Sequence, residues 1–127
     1  MNATTLLHRQ VNPAWIQSGR VTSQAFKPTA KDNRRLSVYD GDKINAADAW
    51  QHYTGSLCFS SAGVITVRVD ECQSLELESE SDPTPFPEHA VIIFGEFSNA
   101  ETEKKAKQLK AFALARGWQF QAETDTK

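Results

Sequence analysis

Between Ala90 and Gly117 the chain leaves little room for alternative folds. A run of five apolar residues, Ala-Val-Ile-Ile-Phe, is followed closely by a segment that carries the signals for both ends of a helix. Ser98 and Glu101 form a capping box, in which each side chain meets a backbone amide left open by the first helical turn. Ala106, Leu109, Phe112 and Ala113 recur at helical spacing, while Lys104, Lys105, Lys107 and Lys110 take the other faces. Gly117 supplies the stop. The apolar run reads as a central strand covered on both sides. A strand that needs cover and a helix apolar on one side together call for a sheet with helices packed on it.

The remaining elements fit the same plan. Leu6 to Val11 reads as a strand that turns at Asn12-Pro13, and Trp15 to Gly19 as a short helical turn or an irregular loop. Arg20 to Phe26 alternates and predicts a second strand, Lys27 to Arg35 a polar loop, and Leu36 to Tyr39 a third strand closed by the turn dipeptide Asp40-Gly41. Asn45 is an N-cap for a helix whose inner face is Ala46, Ala49, Trp50 and Tyr53, with Gly55 as its stop. Gly63 to Val69 is β-rich, with Arg68 facing outward or toward a ligand. Glu71 to Pro87 is acidic and then punctuated by Pro83, Pro85 and Pro87, so it reads as extended chain unable to pair as a central strand. Trp118 to Gln121 supplies a last strand with Phe120 inward. The expected class is α+β: a mixed or antiparallel sheet of about six short strands with two helices packed on it.

At 127 residues the chain has the size of one domain, and residues 1–5 and 122–127 are expected to fray. Leu6-Leu7 is followed at once by His8-Arg9-Gln10, so the start lacks the continuous apolar stretch of a signal peptide. No run approaches the roughly 20 apolar residues of a membrane span. With two cysteines, Cys58 and Cys72, outside any CxxC motif, the expectation is a cytoplasmic protein without a membrane, both cysteines being small core or strand-end residues. The net charge of −2 conceals a segregation: seven basic against three acidic residues from Met1 to Lys43, then ten acidic residues and neither lysine nor arginine from Asp70 to Glu103. If these segments lie apart the surface is dipolar; if they meet, they neutralise each other. An isoelectric point near 5.9 argues against nucleic acid as the partner.

Polar residues that could carry chemistry concentrate in His8-Arg9-Gln10, in Arg20 to Gln24, in Ser37 to Asp42, at His52 and at Glu88-His89. The three histidines show no HxH, HExxH or H-x3-H spacing, so no metal is expected. Ser23 and Ser37 lie outside any GxSxG elbow, neither cysteine neighbours a histidine, and there is no P-loop. Arg9 sits inside an apolar strand, where a guanidinium needs a partner, and Arg20 opens the next strand beside Thr22 and Ser23. Arg9, Arg20, Ser23, Tyr39 and His52 are therefore the candidate ligand-binding residues, expected to hold an anionic small molecule such as a phosphate, carboxylate or nucleotide. The alternative is that the arginines pair with Asp40, Asp42 or Glu88. His52 also reads as a helix-surface or interface histidine, and His89 as a strand-start residue bonded to the Pro-rich loop.

The stretches Arg20-Val-Thr-Ser-Gln-Ala-Phe-Lys-Pro, Leu36-Ser-Val-Tyr-Asp-Gly and Pro87-Glu-His-Ala-Val-Ile-Ile-Phe resemble a group of small bacterial proteins with no assigned activity. The first half, with Arg9, Gly19-Arg20, Phe26-Lys-Pro28, a strand closing on Tyr39 and an alanine-rich helix in that order, also resembles the RES domains related to ADP-ribosyltransferases. That resemblance implies NAD as cofactor, a nucleotide-directed enzyme, and a toxin–antitoxin setting. Where such domains carry a glutamate in or after the helix, this chain has Trp50, Gln51 and His52, which favours ligand binding over catalysis. The leading expectation is a small cytoplasmic bacterial binding or accessory protein, of immunity or toxin–antitoxin type, acting on a protein partner or an anionic ligand.

Overall fold

The structure, a computed structural model, describes residues 1–29 and 33–122. Six strands form one antiparallel sheet: β1 (Leu6–Gln10), β4 (Arg35–Asp40), β5 (Gly63–Arg68), β6 (Glu78–Ser81), β7 (His89–Ile93) and β8 (Phe120–Gln121), in the order β6-β7-β4-β1-β5-β8. A separate hairpin, β2 (Ile16–Gln17) with β3 (Arg20–Val21), precedes a 3-10 turn at Ser23–Phe26. The helices are α1 (Ala46–Gln51), α2 (Val69–Ser74) and α3 (Asn99–Arg116). The α+β expectation holds, with every pairing in the sheet antiparallel.

Strand alternation gives the sheet two unlike faces. Leu7, Leu36, Val38, Ile65, Val67, Ala90 and Ile92 share one face and meet Ala106, Leu109 and Ala113 of α3 together with Ala25 and Phe26 in a single buried cluster. His8, Gln10, Ser37, Tyr39, Thr66 and His89 share the other, where α1 packs on β1, β5 and β8. There Trp50 stacks on Phe120 with ring centroids 5.0 Å apart and donates from Nε1 to Ser61 O. Gly63 permits that closure. A Cβ added there would lie 2.5 Å from Phe120 O and 2.9 Å from the Trp118 ring.

Several elements depart from the sequence expectations. Only Arg20 and Val21 of the Arg20–Phe26 segment are strand. In a strand, Ala25 and Phe26 would face opposite ways, whereas the 3-10 turn buries both. The Glu71–Pro87 stretch is not wholly extended. Glu71 accepts from Arg68 N (2.8 Å) and starts α2, and Leu77 then enters the core. Glu78–Ser81 pairs with β7 at the sheet's rim, where charged side chains are tolerated. Gly55 does not stop α1, which runs on as a π-helical segment, His52–Ser56. Asn2 to Thr5, expected to fray, are tied down: Ala3 O and Thr5 O accept from Asp70 N and Val69 N, and Thr5 Oγ1 donates to Asp42 Oδ2 (2.6 Å). At the other end Ala122 N bonds to Ala62 O, and residues 123–127 lie outside the described residues, as do 30–32 of the Lys27–Arg35 loop.

The charged segments meet. Arg35 pairs with Glu80 (2.5 Å) and Lys27 with Glu103 (2.8 Å), while the Arg34 guanidinium bonds Gly95 O, Phe97 O and the Thr102 hydroxyl just ahead of and within α3. Arg116, at the far end of α3, is bidentate to Glu71 (3.0 and 2.9 Å) and donates to Thr66 O. Among the described residues no helix is long and apolar enough to cross a membrane.

Leu109 is fully buried, so Leu109→Ala is expected to lower unfolding free energy by about 2–5 kcal/mol in urea titrations. The cysteines separate in the same way. Cys72 is in the core, and burial pushes its thiol up to about 12, whereas Cys58, expected in the core or at a strand end, is exposed after the π-helical segment. Iodoacetamide on the native protein should add one label, at Cys58, with Cys72 reacting only in denaturant. Prompt native labelling of Cys72 would contradict this packing.

Candidate functional site

Strands β1 and β4 share only two paired positions, Leu7↔Asp40 and His8↔Tyr39, whereas β1 pairs with β5, and β4 with β7, at five positions each. Beyond His8 the seam between them opens. Arg9 closes it from the core side: its Nη1 donates to Ser37 O (2.8 Å), its Nε to Ala25 O (2.7 Å), and its guanidinium lies 5.0 Å from the centre of the Trp15 ring. On the other face a cleft of about 430 Å³ stands over the open seam. Its floor is His8, Arg9 and Gln10 of β1, Ser37 to Tyr39 of β4 and His89 of β7. Tyr53, Leu57 and Phe59 form one wall, and Pro85 and Phe86 the other.

Each wall has a local cause. Widening α1 into a π-helical segment carries the chain past Tyr53 toward the mouth, and such segments recur at functional sites. Phe59 stacks on Tyr53 at 5.1 Å yet remains 56% exposed. Opposite, the alternating prolines hold Phe86 against three rings: Tyr39 at 5.1 Å, His52 at 4.6 Å and His89 at 5.2 Å.

The polar groups of the floor differ in what they have left to offer. His8 is buried. Burial lowers its pKa to about 4, against the opposing pull of its bond to the Ile44 backbone and of the Asp40 charge. It is a neutral imidazole whose Nδ1 lies 2.8 Å from Thr66 Oγ1. Tyr39 is raised above its ordinary range by burial, then by Tyr53 and Glu88, and its neutral hydroxyl meets His52 Nδ1 at 2.8 Å. His89 has Nδ1 2.9 Å from Asp82 O and 3.5 Å from Asp82 Oδ2, with Nε2 3.1 Å from Ser37 Oγ. Gln10 is 5% exposed. Ser61 Oγ accepts from Gly63 N and donates to Gln10 Oε1 (2.7 Å), which leaves the Gln10 amide nitrogen buried without a hydrogen-bond partner.

Of the five residues singled out from sequence, the structure brings Arg9, Tyr39 and His52 to this cleft or its wall and leaves Arg20 and Ser23 elsewhere. Arg20 is exposed on the β2–β3 hairpin opposite Gln17, and Ser23 donates to Glu103 Oε2 (2.8 Å). Nor do Asp40 and Asp42 serve as the expected arginine partners: Asp40 Oδ1 accepts from Asp42 N and Asp42 Oδ2 from Thr5. His89 does bond the Pro-rich loop, as its strand-start position suggests. Gln10 lies in the His8-Arg9-Gln10 stretch that the sequence marks as polar and Tyr53 on the inner face of the first helix, but neither is among the five candidate ligand-binding residues, and no sequence signal points to Phe59 or Phe86. The alternation of β1, which sets His8 and Gln10 against Leu7 and Val11, was the available signal for Gln10. Among the described residues no group of three or more His, Cys, Asp or Glu side chains is arranged to hold a metal ion. Comparison with protein-family models, with curated proteins and with solved structures finds no match to this chain.

The state of His8 has a consequence for stability. Because the fold holds the imidazole neutral, the unfolded chain takes up its proton first as pH falls from about 6.5 to about 4. Stability is then lost across that window, by on the order of 3 kcal/mol, with no further contribution from His8 below it. Urea midpoints measured at about pH 7 and about pH 4.5 should differ more for the wild type than for His8→Gln. An equal difference in the two proteins would show that His8 is not the group responsible.

Proposed function

We propose that this domain binds a small organic molecule with an aromatic or apolar body and a hydrogen-bond-accepting end. The observation that carries this reading is the Gln10 amide, buried in the floor of the cleft with its nitrogen unpartnered. A buried donor left in that state costs about 1–3 kcal/mol, which an acceptor on a ligand would recover. The surroundings fit. Pockets for small molecules run from roughly 300 to 1,000 Å³ and combine apolar walls with a few fixed polar groups. Here the walls are Tyr53, Leu57, Phe59 and Phe86, and the polar groups are Gln10, Ser37, Tyr39 and His89. The reading of a protein partner draws on the segregated charges, of which Lys27–Glu103 and Arg35–Glu80 pair across the two segments.

A thermal-shift screen of aromatic carboxylates, aryl phosphates, and adenine and nicotinamide nucleotides including NAD tests this, since ligand at 100 times its dissociation constant stabilises by about 2.7 kcal/mol. At least one class should raise the wild-type Tm, with a smaller rise in Gln10→Leu and in Phe59→Ala. Gln10→Leu should itself fold, because Ser61 Oγ lies 2.9 Å from Gly63 O and keeps an acceptor there. Hits that stabilise all three proteins equally, or no hits at all, would overturn the proposal.

A further inference from the structure

We propose that Ser37 and His89 form a nucleophile–base pair and that the cleft hydrolyses esters with an aromatic or apolar acyl group, an inference that rests on the ligand-binding reading above. Ser37 lies on β4 with its side chain on the cleft face, and its residue surface is exposed. Its Oγ is 3.1 Å from Nε2 of His89, which is 7% exposed. The other ring nitrogen settles the tautomer. Nδ1 faces the Asp82 carbonyl at 2.9 Å and the Asp82 carboxylate at 3.5 Å, and both are acceptors, so Nδ1 carries the proton. Nε2 therefore turns a lone pair toward the serine hydroxyl, which is the state a general base needs. Asp82 is a positioning residue in this arrangement.

Gln10 lines the same cleft from β1, across the open seam. Ser37 Oγ attacks the ester carbonyl carbon as its proton passes to His89 Nε2, and the carbonyl electron pair moves onto the carbonyl oxygen. The pair returns, the C–O bond to the alcohol breaks, and the leaving alkoxide takes the proton from Nε2. Water then adds to the Ser37 ester with the same proton traffic, releasing the carboxylic acid and restoring the hydroxyl. The net change is ester plus water to acid plus alcohol, with no redox partner.

The test uses the full chain with a biotin-tagged alkyl fluorophosphonate and, separately, 4-nitrophenyl butyrate. Peptide mass mapping should find one phosphonate adduct, on Ser37. Labelling and 4-nitrophenol release should fall at least tenfold in Ser37→Ala and in His89→Gln. Asp82→Asn should slow labelling while leaving the Tm shift by reversible ligands in place, a split that loss of folding would not produce. Ser37 is exposed, so Ser37→Ala keeps the test valid even if His89→Gln fails to fold. Folded wild type left unlabelled, or labelled elsewhere, overturns the hydrolase inference. If the screened ligands still stabilise that protein, the binding reading stands alone; if they do not, both fail.

Discussion

A guanidinium placed in the middle of an apolar strand must find acceptors, and in this fold the Arg9 side chain meets main-chain carbonyls. Ala25 O and Ser37 O take its Nε and Nη1 donors, and Trp15 covers its face. Three parts of the chain are joined by that arrangement: β1, the 3-10 turn that carries Ala25 and Phe26 into the core, and β4 beyond the point where it stops pairing with β1. The Ser37 carbonyl, which a regular ladder would have used against β1, is satisfied by a side chain instead. The two strands can therefore part without leaving that carbonyl orphaned, a condition that buried backbone groups rarely escape. The cleft exists because the sheet opens there and stays stable while open.

The two faces of the sheet divide the labour. Apart from Arg9 and Asp40 the face against α3 is apolar, and the helix is held at both ends, by Arg34 bonding the loop before it and by its last residue, Arg116, bonding Glu71. The other face is half covered by α1 and lined with polar side chains, nearly all of which have fixed partners. His8 is held neutral against Thr66, Tyr39 is paired with His52, and His89 is held by Asp82. Against that background the Gln10 amide nitrogen is buried without a hydrogen-bond partner, and the Ser37 hydroxyl faces His89 Nε2. Rigid walls from the proline-punctuated loop and the π-helical segment place aromatic surface around them.

Charge behaves differently in three dimensions from its appearance along the chain. The basic first third and the acidic later segment are far apart in sequence, yet β4 lies beside β7, and β7 beside β6. Arg35 thereby comes within reach of Glu80, while Lys27 reaches Glu103 on α3. Surface pairs of this kind contribute little stability each. Their effect here is to bring part of the two segments together, where the linear sequence sets them apart.

What the sequence determined by itself were the elements whose signals are local. The capping box and Gly117 bounded α3, Asn45 began α1, the Ala90–Phe94 run became an interior strand, and the alternation of β1 and β4 set which side chains share a face. It also marked Arg9 as a residue in need of partners. What those partners are, only the tertiary structure decided, because backbone carbonyls carry no signature in sequence. The same holds for the 3-10 turn at Ser23–Phe26, where burying two adjacent residues overrode an alternating pattern, and for the exclusion of Arg20 and Ser23 from the cleft. The pairing of Ser37 with His89 spans 52 residues and arises from strand order, which no spacing rule encodes. A site assembled where two strands part is made by a pairing that stops. Local patterns report where strands begin and end, not which of their partners they leave.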